Sequence, residues 1–488
     1  MTDLYKLGIM GKILVTSFTL LVSLIFTIGE SRVNYNGYKV LRVNATQNRA
    51  FNAMKNLFIQ DELDFWSPPS RVAPTDVLIS PIRVRPFRTF LETIGAPYEI
   101  LIENLDYEIE YERLNYLASS ETYNTSEMNW EAYQRLETIH GWMDGLAEKY
   151  PSMVTVFDTG NSTEGRPLKV LKISTGEARA DKPAIWLDGG IHAREWISPA
   201  TVTYIANELI MQATRYRNQR LTDAFDWYIN PVMNPDGYEY TQVDRLWRKT
   251  RSGPRPVLGG FLGWCRGVDP NRNWDFQWAG KGTSRNPCSQ IYHGPNAASE
   301  PEVKAIQDFV LERKDQIKLF LTFHSYSQIL LLPWGYDEVR TDDHDDLMRV
   351  GLKAIKTLEN VHGTKYTAGN TAEILYAAAG GSHDWAKGYH LSIFCIINFY
   401  HRISLKIRIR PFIGSAGIKF AYCYELRDTG KRGFVLPADQ IIPSGQETFA
   451  AVQSMAEDVM DFYKITEEEQ ATTVPVEEVS QRLYQQPL

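Results

Sequence analysis

The chain has 488 residues, 43% of them hydrophobic, and carries a net charge of -7. That length supports at least one large core together with an accessory unit, and an acidic balance lacks the basic face that a general nucleic-acid binder needs. Four cysteines in so long a chain exclude a disulfide-dense scaffold and fit one selected bridge.

Lys6 and Lys12 precede an apolar stretch from Ile13 to Ile28 that ends at Gly29-Glu30-Ser31. Residues 1–30 read as a secretory signal peptide, the alternative being an uncleaved anchor. No later stretch is long enough to span a bilayer. Three glycosylation acceptor sequences, at Asn44, Asn124 and Asn161, agree with export.

The segment from Tyr35 to about Tyr111 reads as a small separate α+β unit. Tyr38 to Val43 alternates as a strand, Glu62 to Trp66 gives a second strand stopped by Pro68-Pro69, Phe87 to Ile94 is helical up to Gly95, and Tyr98 to Ile102 returns as a strand. Residues 114–129 are polar and read as a protease-sensitive linker with Arg113 at its edge.

From Trp130 strands and helices alternate. Val154 to Phe157, Lys169 to Ile173, Ala184 to Leu187, Trp227 to Asn230 and Leu319 to His324 are short apolar runs, while Ala200 to Met211, Glu300 to Arg313 and Ala450 to Tyr463 carry helical periodicity. The alternation predicts an α/β domain over 130–463, with a mixed, mainly parallel twisted sheet and helices on both faces. Residues 464–488 are acidic, lack apolar periodicity and read as disordered.

His192-Ala193-Arg194-Glu195 follows the strand that ends in Asp188-Gly189-Gly190, and His324 ends another. Two imidazoles and one carboxylate are the set that holds a catalytic zinc with one position left open, which predicts hydrolysis. The carboxyl ends of such strands are where ligands gather. Cys265 and Cys288 are the expected disulfide pair, closing a loop that contains Asp269-Pro270-Asn271-Arg272-Asn273; two unrelated thiols are the alternative.

Six ordered motifs carry a resemblance: Ile191 to Trp196, Asn230 to Tyr238, Leu246 to Arg251, Asp269 to Trp274, His324 to Gln328 and Glu425 to Gly430. With them the chain resembles the propeptide-bearing zinc metallocarboxypeptidases of the A and B type, over nearly its whole length. The resemblance implies a zymogen with an activation propeptide at 33–113 and one Zn2+ held by His192, Glu195 and His324. Asp269 matches the acidic partner that orients His192, a loop-capping aspartate being the alternative. Glu425 matches the catalytic base, with a structural Glu425–Arg427 pair as the alternative. Arg248 matches the oxyanion-stabilising arginine. Asn271, Arg272, Tyr376, Arg194, Ser325 and Tyr326 match substrate-binding positions, of which Asn271 and Arg272 clamp the terminal carboxylate. The implied partners are peptide and protein C-termini and an activating trypsin-like protease cutting at Arg113, for a secreted monomer with no nucleic-acid or stable membrane association. A serine hydrolase would need a Gly-x-Ser-x-Gly elbow, which the sequence lacks.

Two departures stand out. His383 occupies the position matching the specificity-pocket floor, where A types carry an apolar residue and B types an aspartate. With Gly335, Thr371, Ala378 and Cys423 around it, the absence of an acid predicts a preference for apolar or aromatic C-terminal residues; an acidic preference through a protonated His383 stays open. Residues 388–413 interrupt an otherwise continuous pattern, contain no acid, and read either as a surface hairpin or as translated non-coding sequence. A catalytically impaired peptide-binding relative is the alternative function, because the insert enters just before Glu425.

Overall fold

The computed structural model describes residues 32–465 apart from 61–62, 72, 123–127, 178, 216–218, 262 and 389–414. The signal-peptide reading of 1–30, the sequon at Asn124, nearly all of the 388–413 insert and the tail after 465 lie outside the described residues.

The N-terminal unit is a four-stranded antiparallel sheet, ordered β2-β3-β1-β4, of β1 (Lys39–Val43), β2 (Asp64–Phe65), β3 (Thr75–Ile79) and β4 (Tyr98–Ile102). The alternation of β1 sorts its side chains onto two faces. Leu41 and Val43 pack with Met54 of α1 (Asn48–Ile59) and with Phe87 and Leu91 of α2 (Pro81–Ile94). Val40 faces the other way, joining Trp66, Leu78 and Ile102 against Leu246, Tyr326, Phe434 and Val435 of the large domain. The chain then continues as α3 (Leu105–Thr122). This helix runs through the first half of the stretch expected to be a linker; Asp106 and Glu108 in its first turn complement the helix dipole, and buried Glu112 ties it to the large domain.

The large domain is built on an eight-stranded sheet. Its members are β5 (Val154–Asn161), β6 (Pro167–Ile173), β7 (Ala184–Asp188), β8 (Asp226–Asn230), β9 (Ile317–Ser325), β10 (Ile329–Leu332), β11 (Thr367–Asn370) and β12 (Phe420–Leu426). The edge-to-edge order is β11-β10-β12-β9-β7-β8-β6-β5. β9 runs parallel to both β7 and β12, whereas β10 and β12 pair antiparallel, as do β5 and β6. All five residues of β7 are buried, as expected of a strand covered on both faces. One face packs on α4 (Leu136–Lys149), α5 (Ile197–Thr214), α6 (His344–His362) and α7 (Ile441–Tyr463). The opposite face holds Trp186 and Phe320 against Val303, Ile306 and Phe309 of a helix at Pro301–Leu311.

Because β7, β9 and β12 are parallel neighbours, their carboxyl ends open on one edge. His324 of β9 lies opposite Glu425 of β12, and Thr322 lies opposite Asp188 at the end of β7. After β7 the chain turns through Gly190, whose φ of 67° is left-handed and whose Cβ position would meet Pro199 Cγ at 3.1 Å, so glycine is required there. Ser198 locks this turn, donating to Phe323 O at 2.6 Å and accepting from Gly190 N–H at 3.0 Å. The segment between Gly190 and Ser198 presents His192 and Glu195.

Candidate metal centre and active site

His192, Glu195 and His324 are buried, and one donor atom from each lies within 4.8 Å of the other two. The Nδ1 edges of both imidazoles face Glu195: His192 Nδ1 stands 2.7 Å from Oε1 and His324 Nδ1 stands 3.1 Å from Oε2. The two Nδ1 atoms are themselves 3.1 Å apart. Two lone-pair nitrogens and a carboxylate converging on one point fit a divalent metal of zinc type. Burial, together with the Arg248 cation, pushes His192 below its ordinary pKa and favours the neutral, ligating imidazole. Burial would push Glu195 up, but the two imidazoles outweigh it and hold the carboxyl below its usual range.

The far edge of each imidazole is also held. His192 Nε2 faces Asp269 Oδ1 at 3.0 Å, so Asp269 stands where the sequence expects it. That carboxylate also accepts from Arg248 at 2.9 Å and from Asn271 N–H at 2.9 Å. His324 Nε2 lies 3.5 Å from Thr322 Oγ1, which donates to Asp188 at 2.6 Å. Asp188 is fully buried, also accepts from the Trp186 indole at 2.7 Å, and is pushed up to about 6 by burial. Sequence reasoning missed Thr322 and Asp188; the available signal was that residues two apart on a strand share a face.

Arg248, Asn271, Arg272, Ser325, Tyr326, Tyr376, His383 and Glu425 line one cavity with the three metal-binding residues. Half-buried Glu425 is pushed up to about 8, chiefly by burial, with His324 opposing and Glu195 adding to the rise. Arg272 donates to Asn271 O, Gly282 O and the Tyr376 hydroxyl. The Asn271 amide oxygen accepts from Ser382 N–H at 2.9 Å, leaving its amino group 3.3 Å from His324 Nε2. Ser325 N–H donates to Glu195 at 3.2 Å. Cys265 and Cys288 form the expected disulfide. The alternative Arg427 pairing is absent: Arg427 binds Glu447 instead.

The N-terminal unit closes this mouth, since Trp66, Ser67 and Pro68 line the same cavity. Asp64 pairs with Arg194 at 3.2 Å. Asp76 accepts from the Tyr326 hydroxyl at 2.8 Å and from Arg42, which reaches on to Thr429 O. Among the described residues, Arg194 and Tyr326 are the expected substrate-binding residues whose polar groups this unit engages.

A mixed sheet with a cluster of two histidines and one carboxylate at the ends of its parallel strands defines a metal-dependent hydrolase. Residues 139–451 match the zinc carboxypeptidase family and 41–112 match the carboxypeptidase activation peptide, and the chain belongs to this family of zinc metallocarboxypeptidases made as zymogens. It is 46% identical to carboxypeptidase B of Astacus astacus, over 69% of this chain and 100% of that protein. It is 40% identical to carboxypeptidase A2 of Mus musculus, over 87% of this chain and 94% of that protein. Among solved structures, carboxypeptidase A from Helicoverpa armigera superposes with a TM-score of 0.76 at 28% identity, covering 88% of this chain and 99% of that one. Thrombin-activatable fibrinolysis inhibitor gives 0.73 at 33%, covering 87% and 98%. Zinc is thus the metal that His192, Glu195 and His324 would hold.

Proposed function

We propose that this enzyme removes single apolar or aromatic residues from peptide C-termini, with Glu425 as the proton-transferring base and Arg248 beside the developing oxyanion. The observation that carries the reading is the convergence of the metal-binding triad, Glu425, Arg248 and a guanidinium suited to a free carboxylate in one cavity. When bound, zinc supplies Lewis-acid polarisation and lowers the pKa of a water. Glu425 takes a proton from the attacking water and delivers it to the departing amine nitrogen, a role favoured by a pKa near the working pH. Arg248 stabilises charge on the scissile carbonyl oxygen, held in place by Asp269. Arg272 and Asn271 bind the terminal carboxylate, with a planar guanidinium supplying paired donors. Tyr376, whose hydroxyl already meets Arg272, closes over the bound residue, while Arg194, Ser325 and Tyr326 contact the substrate further along.

We further infer that residues 1–30 direct secretion, that 33–113 are the inhibitory propeptide and 130–463 the catalytic domain, and that the enzyme acts as a monomer. Among the described residues no helix is long and apolar enough to cross a membrane. A trypsin-like protease cutting after Arg113 activates the chain; the support is that Arg113 is the last basic residue before Arg135. The test is to treat the chain with trypsin, remove zinc with a chelator, add it back, and follow free amino acids. Glu425→Gln should retain zinc yet lose about 100-fold or more in kcat. Unchanged turnover in that variant would overturn the assignment.

A further inference from the structure

The specificity pocket contains a hydrogen-bond acceptor with nothing to accept. Thr371 Oγ1 donates its one proton to the Leu332 carbonyl at 2.9 Å, since a carbonyl only accepts. The same oxygen lies 3.1 Å from His383 Nε2, so it receives the Nε2 proton. The next atom on that side of the ring is Asp384 Oδ1 at 3.4 Å, also an acceptor, so both neighbours select the Nε2–H tautomer. His383 Nδ1 is then a bare lone pair. It is buried and has no partner among the described residues, an arrangement that is costly unless something fills it.

Two glycines keep space beside this edge of the ring. A Cβ on Gly381 would sit 3.7 Å from Nδ1, and one on Gly335 would sit 3.4 Å from Cε1. His383, Gly381, Thr371, Ala378 and Cys423 all line the active-site cavity. Burial pushes His383 down to about 3, and His324 and Arg272 add to the effect, which keeps the ring uncharged and removes the protonated form that an acidic side chain would need. Asp384 gives no anchor to a basic side chain, because its carboxylate is fully buried and caps Gly335 N–H and Tyr336 N–H.

We propose that this pocket selects uncharged C-terminal side chains that end in a hydrogen-bond donor, tyrosine over phenylalanine and glutamine over leucine, with His383 Nδ1 as the acceptor. The proposal rests on the carboxypeptidase reading of the cavity and refines its apolar or aromatic preference. A donor placed on Nδ1 satisfies the buried lone pair, whereas a purely apolar side chain of the same shape leaves it unpaired.

The trypsin-activated, zinc-loaded enzyme should be given acyl dipeptides ending in Tyr, Phe, Gln, Leu or Glu. The expected result is a kcat/KM for Tyr on the order of tenfold above Phe, and likewise for Gln above Leu. In His383→Phe, which keeps a ring but removes the lone pair, the Tyr to Phe ratio should fall to about one or below. Release of Phe as fast as Tyr in the unaltered enzyme, fastest release of Glu, or a ratio unmoved by His383→Phe would overturn the proposal and leave the carboxypeptidase reading standing. Failure to release any of the five residues would instead remove that reading itself.

Discussion

Glu112 and Arg245 form the buried one of two ion pairs that join the propeptide helix to the catalytic domain, the other being the more exposed Glu108–Arg432 pair, and breaking the buried pair should loosen the zymogen. Both side chains are only 4% exposed. Arg245 donates to the two Glu112 oxygens at 2.7 and 2.9 Å, to Arg194 O at 2.9 Å and to Phe434 O at 2.6 Å, and its guanidinium lies 3.7 Å above the Trp196 ring. Glu112→Gln keeps the shape but leaves the buried cation without its counter-charge. Removing one partner of a buried pair costs about 3–5 kcal/mol. Arg245 retains two carbonyl acceptors and an aromatic face, and burial already pushes Glu112 up against the pull of Arg245, so the low end applies. A cost of about 3 kcal/mol weakens propeptide binding by roughly two orders of magnitude. With cleavage after Arg113, as proposed, Glu112 stays on the released segment, so the pair still retains it and activity should lag behind chain cleavage. Untreated Glu112→Gln chain should hydrolyse a reporter peptide measurably before trypsin is added, and its lag should shorten, while the activated enzymes match. Pairing it with Arg245→Met should restore part of the latency, because no lone buried charge remains. If untreated variant and parent are equally silent and their lags coincide, the pair does not hold the propeptide.

Three further outcomes follow from the same contacts. Thr322→Val should weaken zinc binding by about 10–100-fold in a chelator competition, with Thr322→Ser close to the parent, if the Asp188–Thr322 pair orients His324; equal affinity in all three would remove that role. Glu302 is fully buried and is pushed by burial from the ordinary 4.5 up to about 7. A carboxyl raised in this way holds its proton more tightly in the folded state, so its contribution is present below pH 4.5 and fades as pH rises through about 7. Glu302→Gln should therefore stabilise the fold at pH 8, by roughly 3 kcal/mol at most, raising the melting temperature there and leaving it nearly unchanged at about pH 4; an equal shift at both pH values would contradict the assignment. Deleting residues 389–414 should preserve folding and activity, because Ala416 N–H and Ile418 N–H already bond Trp385 O and Ala386 O at 3.1 and 2.8 Å. Loss of a cooperative melting transition on deletion would show that the insert belongs to the fold.

Five strands of the catalytic sheet, β5 to β9, were legible as apolar runs bounded by turn residues, and β7, β8 and β9 fall within a residue or two of where the pattern puts them, whereas the Thr-Ala-Gly-Asn run of β11 presents no apolar signal. Among the elements the pattern did not give, α3 is the most instructive. Residues 115–122 are Asn-Tyr-Leu-Ala-Ser-Ser-Glu-Thr, a composition that reads as linker because its helical stability comes from outside it. Glu112, one buried anchor on a helix with almost no amphipathic stripe, is a charged residue, and its partner Arg245 is far away in sequence. Periodicity detects apolar faces, and a helix docked by an ion pair does not present one.

The same limit governs the active site. His192, Glu195 and His324 could be named because metal ligands must be of particular chemical types, and their spacing is set by a single turn and a single strand. The residues that hold those ligands need only be polar, so Thr322 and Asp188 carry no signature until the register of β7 against β9 brings them opposite each other. The propeptide contacts are harder still, since Asp64 and Asp76 are surface carboxylates of their own unit and acquire meaning only against Arg194 and Tyr326. Their chemistry explains latency in one step: the propeptide sets its acids on Tyr326 of the cavity wall and on Arg194 in the neighbouring groove, while Trp66 and Pro68 line its mouth. A C-terminal carboxylate approaching the uncleaved chain meets Arg194 beside the mouth already neutralised by Asp64, so the propeptide excludes substrate by charge as well as by volume.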